Sequence, residues 1–353
     1  MYFSDILLGD KTVAHHAPPF IIAEMSGNHN QSLDKALAIV DSAAASGVHA
    51  LKIQTYTAET MTLDLSENEF FISDPNNIWQ GQSLYKLYEQ AHTPWDWHEA
   101  IFNRCKKHGI LGFSTPFDET AVDFLESLDV PFYKVASFEN TDIPLIKKIL
   151  ATKKPIIIST GMASVAELME TVNTVKDHNN DDLILLKCTS TYPAEPVKTN
   201  INTIPHMSQL FDCHVGLSDH TMGIGVAVAS VALGARVIEK HFTLDRSKGG
   251  VDSSFSLEPS ELSALVTETH RAWQALGKIQ YGIASDNEAK SLQYRRSLYV
   301  TKDLAVGDFI SKNNVRAIRP GMGLAPKHLP TVLGKQVKLA IKKGTPLQWN
   351  LLQ

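Results

Sequence analysis

Eight short runs of apolar, largely β-branched residues recur along the chain and constrain its fold more than any other feature. They lie at 20–25 (FIIAEM), 50–55 (ALKIQT), 110–114 (ILGFS), 132–137 (FYKVAS), 155–160 (PIIIST), 183–189 (LILLKCT), 214–218 (HVGLS) and 236–242 (RVIEKHF). Such runs read as strands, and the stretches between them read as helices. Residues 32–46 carry Leu33, Leu37 and Val40 on one face. Residues 94–108 open with a Thr93 cap and a proline at the first helical position. Residues 164–176 open with Ser164 and Glu167, the spacing of a capping box. Residues 223–233 are small and apolar, as a helix packed tightly on a sheet should be, and 258–276 reads as the last helix of the set. Eight strands alternating with helices specify parallel βαβ units, hence an α/β fold. Closing them into a (β/α)8 TIM barrel is the economical solution, with a doubly wound open sheet as its rival.

Residues 57–92 are too many for an ordinary connection, and they include the aromatic-rich stretch 79–88. They form either an excursion over the barrel mouth or a plain surface insertion. After residue 276 the pattern changes. A polar linker at 277–290 leads into 291–353, where short strand-like pieces at 297–300, 315–318 and 337–339 are separated by Gly, Pro and Lys. The chain therefore divides into a barrel at 1–276 with a short N-terminal extension, a linker, and a small, mostly β domain. That last domain is close to the lower size limit for folding alone.

With 33 Lys and Arg against 38 Asp and Glu, the net charge of −5 argues against nucleic acid as a partner. No run approaches a membrane span, and the start of the chain lacks the apolar stretch of a signal peptide. Cys105, Cys188 and Cys213 have no CxxC spacing and read as reduced, inert thiols, which points to the cytoplasm.

Barrel enzymes work at the C-terminal ends of their strands. Polar residues concentrate there: Glu24; Lys52 and Gln54; Ser114; Lys134, Ser137 and Glu139; Ser159 and Thr160; Ser190 and Tyr192; Ser218, Asp219 and His220; Glu239 and His241. Lys52 and Gln54 are two apart and share one face. Lysines in apolar strands need a counter-charge, so Lys52 and Lys134 imply an anion, from the protein or from a ligand carrying phosphate or carboxylate. Ser137, Ser159, Ser190 and Ser218 either donate hydroxyls to that anion or cap strand ends. His220 and His241 end adjacent strands and are able to share a metal with open positions for water and substrate; otherwise each is a hydrogen-bonded core histidine. Glu24 is either an acid–base group raised by burial or the structural partner of Lys52.

Several motifs then carry a resemblance. AEMSGNH (23–29), KIQTY (52–56), YKVASFE (133–139), STGM (159–162), KCTSTYP (187–193), GLSDHT (216–221), IEKHFTLD (238–245) and RPGMG (319–323) resemble the sialic acid synthase family, in order and over nearly the whole chain. The tail resembles that family's antifreeze-like, or SAF, domain. Within the family, KIQTYT (52–57), LYKLYEQAHTPWDWH (84–98) and KCTSTYPAE (187–195) resemble the members that form pseudaminic acid.

The resemblance implies condensation of phosphoenolpyruvate with an N-acetylated amino sugar, here 2,4-diacetamido-2,4,6-trideoxy-L-altrose, with phosphate lost by C–O cleavage. It implies that His220 and His241 bind Mn²⁺ or Mg²⁺. Lys52, Lys134, Ser137, Ser159, Ser190 and Ser218 bind phosphoenolpyruvate, and Glu24, Lys52, Lys134 and Asp252 take part in catalysis. Gln54, Glu139, Tyr192 and Asp252 line the sugar site, joined by Arg319 reaching across a domain-swapped homodimer. Synthesis of N-acetylneuraminate or legionaminate is the alternative within the class. A Schiff-base aldolase using Lys134 or Lys187, and a non-enzymatic carbohydrate- or ice-binding protein, are the alternatives outside it.

Overall fold

The computed structural model describes residues 3–75 and 77–353. It separates into two compact units, 1–277 and 278–353. The first opens with an antiparallel hairpin, β1 (Ile6–Leu8) and β2 (Lys11–Val13). Eight parallel strands follow: β3 (Phe20–Glu24), β4 (Ala50–Thr55), β5 (Leu111–Pro116), β6 (Tyr133–Val135), β7 (Ile156–Ser159), β8 (Leu183–Cys188), β9 (His214–Asp219) and β10 (Val237–His241). They close in sequence order, and the closing pair runs from Val237↔Phe20 to His241↔Glu24. That pairing excludes the open sheet and makes the fold the expected TIM barrel. β6 is shorter than expected, because pairing stops at Val135 and a turn closed by Glu139 N–H on the Ala136 carbonyl follows.

Strand alternation sorts the side chains into two sets. Ile21, Ala23, Leu51, Ile53, Ile158 and Leu185 belong to the layer shared with the surrounding helices. Phe20, Ile22, Ala50, Phe113, Phe132, Ile157, Ile184, Leu186 and Val237 form a second apolar cluster inside the barrel, and Ile6, Leu8 and Val13 of the hairpin belong to it. The hairpin therefore stoppers the N-terminal end. Its alternation makes this work, with Ile6 and Leu8 buried and Leu7 exposed. Each fully buried Ile or Leu contributes roughly 1.5–3 kcal/mol. Between β9 and β10 the interior is so close that a Cβ on Gly216 would lie 2.2 Å from the Val237 carbonyl oxygen.

The helices begin where the sequence signals them. Leu33–Ala45 is capped by Ser32, and Val165–Asp177 by the Ser164/Glu167 box. Pro259–Leu276 starts from a box formed by Glu258 and Glu261. One start differs. Thr93 does not cap the helix after it; it is buried, with its hydroxyl 3.4 Å from His29 Nε2. A 3-10 turn, Trp95–Trp97, comes first, and the helix proper is His98–Lys107. Trp95 fixes that turn by stacking on Phe124 at 4.6 Å and donating its indole N–H to the Tyr56 carbonyl. Residues 57–92 include two helices, Ala58–Met61 and Leu84–Ala91, each capped by the hydroxyl before it.

The second unit has its own core, built around Leu298, Val300, Ile310, Val315, Val337 and Leu347. β11 (Ser297–Val300) and β12 (Val315–Ile318) pair antiparallel. The third expected piece, 337–339, is not a strand; Val337 makes a single bridge to Leu352. The expected linker runs into a short helix, Asp286–Ser291. Among the described residues no helix is long and apolar enough to cross a membrane.

Candidate active site

Two residues above the apolar cluster, six of the eight barrel strands carry a charged residue or a serine. Glu24, Lys52, Lys134, Ser159, Ser218 and Glu239 are all buried there. A cavity of about 420 Å³ opens above this layer, and thirteen of the fourteen residues expected at the site line it. They are Glu24, Lys52, Gln54, Lys134, Ser137, Glu139, Ser159, Ser190, Tyr192, Ser218, His220, His241 and Asp252. Arg319 belongs to the second unit, where it follows β12 and forms a cis bond with Pro320.

The register brings Glu24 between its neighbours on two strands, opposite Lys52 on one side and His241 on the other. Lys52 Nζ lies 3.0 Å from Glu24 Oε2 and 3.7 Å from Glu239 Oε1. Gln54 Nε2 donates to Glu24 Oε1 at 2.9 Å. Burial pushes the Glu24 carboxyl up, while Lys52 pulls it back. Burial also raises Glu239, but Lys134 and Lys52 outweigh it and hold that carboxylate down. The layer therefore holds one carboxyl poised to keep a proton and one kept ionised. Glu24 is the partner of Lys52 as the structure stands, and its raised carboxyl also suits acid–base work.

Lys134 differs from Lys52. Its Nζ donates to Ser159 Oγ at 2.6 Å and to the Val135 carbonyl at 3.0 Å. Among the described residues no carboxylate reaches it within ion-pair distance. Burial lowers its pKa, with Glu239 pulling the other way. The four serines behave unequally. Ser137 Oγ and Ser190 Oγ are 2.7 Å apart. Gly161, at φ +50°, packs against both, and a Cβ there would lie 2.6 Å from Ser137 Cβ and 2.9 Å from Ser190 Oγ. Ser159 faces Lys134, whereas Ser218 donates to Glu239 Oε1 at 3.2 Å.

The imidazoles of His220 and His241 lie 5.3 Å apart between ring centroids. His220 Nδ1 is held by the Thr189 carbonyl at 2.9 Å, which leaves Nε2 as its ligand atom. His241 Nδ1 is buried without a hydrogen-bond partner, and Asp252 Oδ2 stands 3.7 Å away. Burial and the nearby His220 hold His241 well below its usual value, in the neutral form that donates a lone pair. Two buried imidazoles with this donor chemistry fit a divalent ion. Among the described residues no group of three His, Cys, Asp or Glu is arranged to hold one, so water and substrate would complete the coordination.

Asp252 is buried and accepts from the Ser26 hydroxyl. Its loop is pinned by Asn28 Nδ2, which donates to the Phe242 carbonyl and to Ser256 Oγ, each at 2.9 Å. Burial pushes the Glu139 carboxyl up to about 7 against the pull of Lys134, and its Oε2 is buried without a partner. The Tyr192 ring packs 4.5 Å from His220 and 5.9 Å from Trp79.

Sequence reasoning gave no role to Glu239, Cys188, Ser26, Tyr56 or Trp79, which also line the cavity. Glu239 already stands among the polar strand-end residues, and Cys188 is findable. Glu239 stands two residues before His241, and Cys188 two after Leu186, so strand period places both inward. Burial raises the Cys188 thiol, while His220 and Lys134 outweigh that and bring it down to about 7. Ser26, Tyr56 and Trp79 lie beyond strand ends, where no periodicity speaks for them.

Known proteins share this arrangement of chain. A pseudaminic acid synthase of Campylobacter jejuni is 43% identical over 93% of this chain and 95% of its own. A pseudaminic acid synthase of Helicobacter pylori is 39% identical over 94% of this chain and 96% of its own. The N-acetylneuraminic acid synthetase of Leptospira borgpetersenii, solved in complex with citrate, superposes with a TM-score of 0.73 at 32% identity, covering 83% of this chain and 97% of that one. The SAF domain matches residues 295–353. The NeuB family matches residues 39–281, and with relatives of this identity spanning nearly its full length, the chain belongs to that family.

Proposed function

We propose that the chain is a synthase that condenses phosphoenolpyruvate with 2,4-diacetamido-2,4,6-trideoxy-L-altrose to give pseudaminic acid and phosphate. The observation that carries the reading is Lys134: a buried ammonium group without a carboxylate contact, bonded to Ser159 at the floor of a cavity, is provision for an anion that arrives from outside. The two named pseudaminic acid synthases support the choice of sugar.

In this reading Lys52, Lys134, Ser137, Ser159, Ser190 and Ser218 hold the phosphate and carboxylate of phosphoenolpyruvate. Preorganised donors of this kind stabilise charge as it develops at the reacting carbon. Glu24 carries the proton transfers, with Gln54 and Lys52 fixing its carboxyl. Asp252, Glu139, Tyr192 and Gln54 orient the sugar, and Arg319 of a domain-swapped partner contacts it. His220 and His241 would hold the divalent ion, Mn²⁺ or Mg²⁺, which when bound supplies Lewis-acid polarisation of a carbonyl. The reaction belongs in the cytoplasm, where phosphoenolpyruvate is made.

The test is an assay of phosphoenolpyruvate with a panel of N-acetylated amino sugars, reading phosphate release and the mass of the nonulosonate. The altrose derivative is expected to be the best substrate, and chelation to abolish turnover until Mn²⁺ or Mg²⁺ is restored. A far better rate with N-acetylmannosamine would make the chain an N-acetylneuraminate synthase. Phosphate release also separates both readings from a Schiff-base aldolase and from a carbohydrate- or ice-binding protein.

A further inference from the structure

The layer between β9, β10 and the surrounding helices is built from apolar side chains such as Leu217 and Ile238. One pair of charges interrupts it. Lys240 and Asp219 are both buried, and Lys240 Nζ stands 3.0 Å from Asp219 Oδ2. Among the described residues no other carboxylate comes within ion-pair distance of Lys240. Strand alternation turns both side chains away from the cavity, and neither lines it. A buried pair of this kind adds little net stability, because lost hydration offsets the attraction between the charges.

Its place in the ladder gives it another use. Lys240 and Asp219 are the last rung between β9 and β10. His220 and His241 each come one residue later, past the end of that pairing. The side chains of the rung carry the connection onward. Lys240 Nζ donates to the Thr221 carbonyl, and Asp219 Oδ1 accepts from the Thr221 N–H at 3.0 Å. The pair therefore joins the residue before His241 to the residues on both sides of His220. Other contacts hold each histidine to a different neighbour: His220 Nδ1 to the Thr189 carbonyl beyond β8, and His241 to Glu24 on β3 through the ladder. The Lys240–Asp219 clasp ties the two histidine segments to each other. We propose that this clasp is a positioning device, one that holds the two imidazoles as a pair for a single divalent ion. The inference rests on the reading of His220 and His241 as the metal-binding residues. It gives neither Lys240 nor Asp219 a contact with substrate or ion.

The experiment titrates Mn²⁺ into the metal-stripped full chain and follows free Mn²⁺ by electron paramagnetic resonance, with urea unfolding measured alongside. Asp219→Asn leaves one oxygen where the carboxylate had two, so it cannot serve Lys240 and Thr221 together. Asp219→Asn combined with Lys240→Met cuts the clasp and also removes the buried charge, so no unpaired ammonium is left to unfold the chain. Ile158→Val, in the same apolar layer on β7, loosens packing away from the histidines. Both Asp219 variants are expected to bind Mn²⁺ about 10–100-fold more weakly than the natural chain, and Ile158→Val to bind it as tightly. A double variant that unfolds cooperatively in urea yet binds Mn²⁺ with the natural affinity would overturn the clasp and leave the metal centre standing. Equal weakening in Ile158→Val would also overturn it, because any loosening of the barrel would then do the same. A natural chain that binds no Mn²⁺, or binding that survives His241→Ala, would overturn the reading of the histidines and the clasp together.

Discussion

A carboxyl held in an apolar setting keeps its proton to higher pH, and Glu139 gives that effect a measurable sign. Burial raises it from the ordinary 4.5 to about 7. Between those two values the folded chain holds a proton that the unfolded chain has released. Stability is therefore expected to fall as pH rises across that window. Glu139→Gln should remove its share of the slope, leaving the part due to the raised Glu24 carboxyl. Urea unfolding at a series of pH values reads this directly; equal slopes with and without the substitution would show that Glu139 does not titrate there. At this scale the sequence is legible wherever strand period applies. Lys52 with Gln54, and Glu239 with His241, are pairs two residues apart, and each pair lines the cavity. What the sequence does not reveal is who pairs with whom. Nothing local says that Ser218 turns to Glu239 while Ser137 turns to Ser190.

Among the elements, the turn after β7 sets the spacing of the serine pair. Gly161 holds a left-handed conformation that costs roughly 1–2 kcal/mol for other residues, and it leaves no room for a Cβ beside Ser137. Gly161→Ala should lower stability by about that amount and push the Ser137 and Ser190 hydroxyls apart. If that pair holds phosphoenolpyruvate, its KM should rise about tenfold, equivalent to about 1.4 kcal/mol. A destabilised variant with an unchanged KM would remove the pair from the substrate's contacts. The barrel strands are legible because all but β6 are runs of four to six residues, mostly apolar and largely buried. The hairpin β1–β2 is not, since its three-residue strands are too short for any period to emerge. Thr93 misleads for another reason: the cap signature is local, whereas the Trp95 contacts that delay the helix come from Tyr56 and Phe124, far along the chain.

At the scale of the whole molecule, the chain packs around two cores in two units. If Arg319 serves a partner's barrel, an Arg319→Ala protein and a Glu24→Ala protein, each nearly inactive, should recover activity when their subunits are mixed and exchanged. One sound site per mixed dimer is expected; mixed dimers that form without regaining activity would confine Arg319 to its own subunit or to no site at all. The barrel itself has a further property, set by the hairpin that fills its N-terminal end with Ile6, Leu8 and Val13. A tube sealed at one end has a single doorway. Whatever reaches the ionisable floor passes the cavity mouth first, and whatever leaves passes it again. Of two substrates that share this route, the one bound at the floor has to be seated before the one bound nearer the mouth. If phosphoenolpyruvate is held at the floor as proposed, traffic is ordered by depth, and the smaller, more highly charged reactant is expected to go in first.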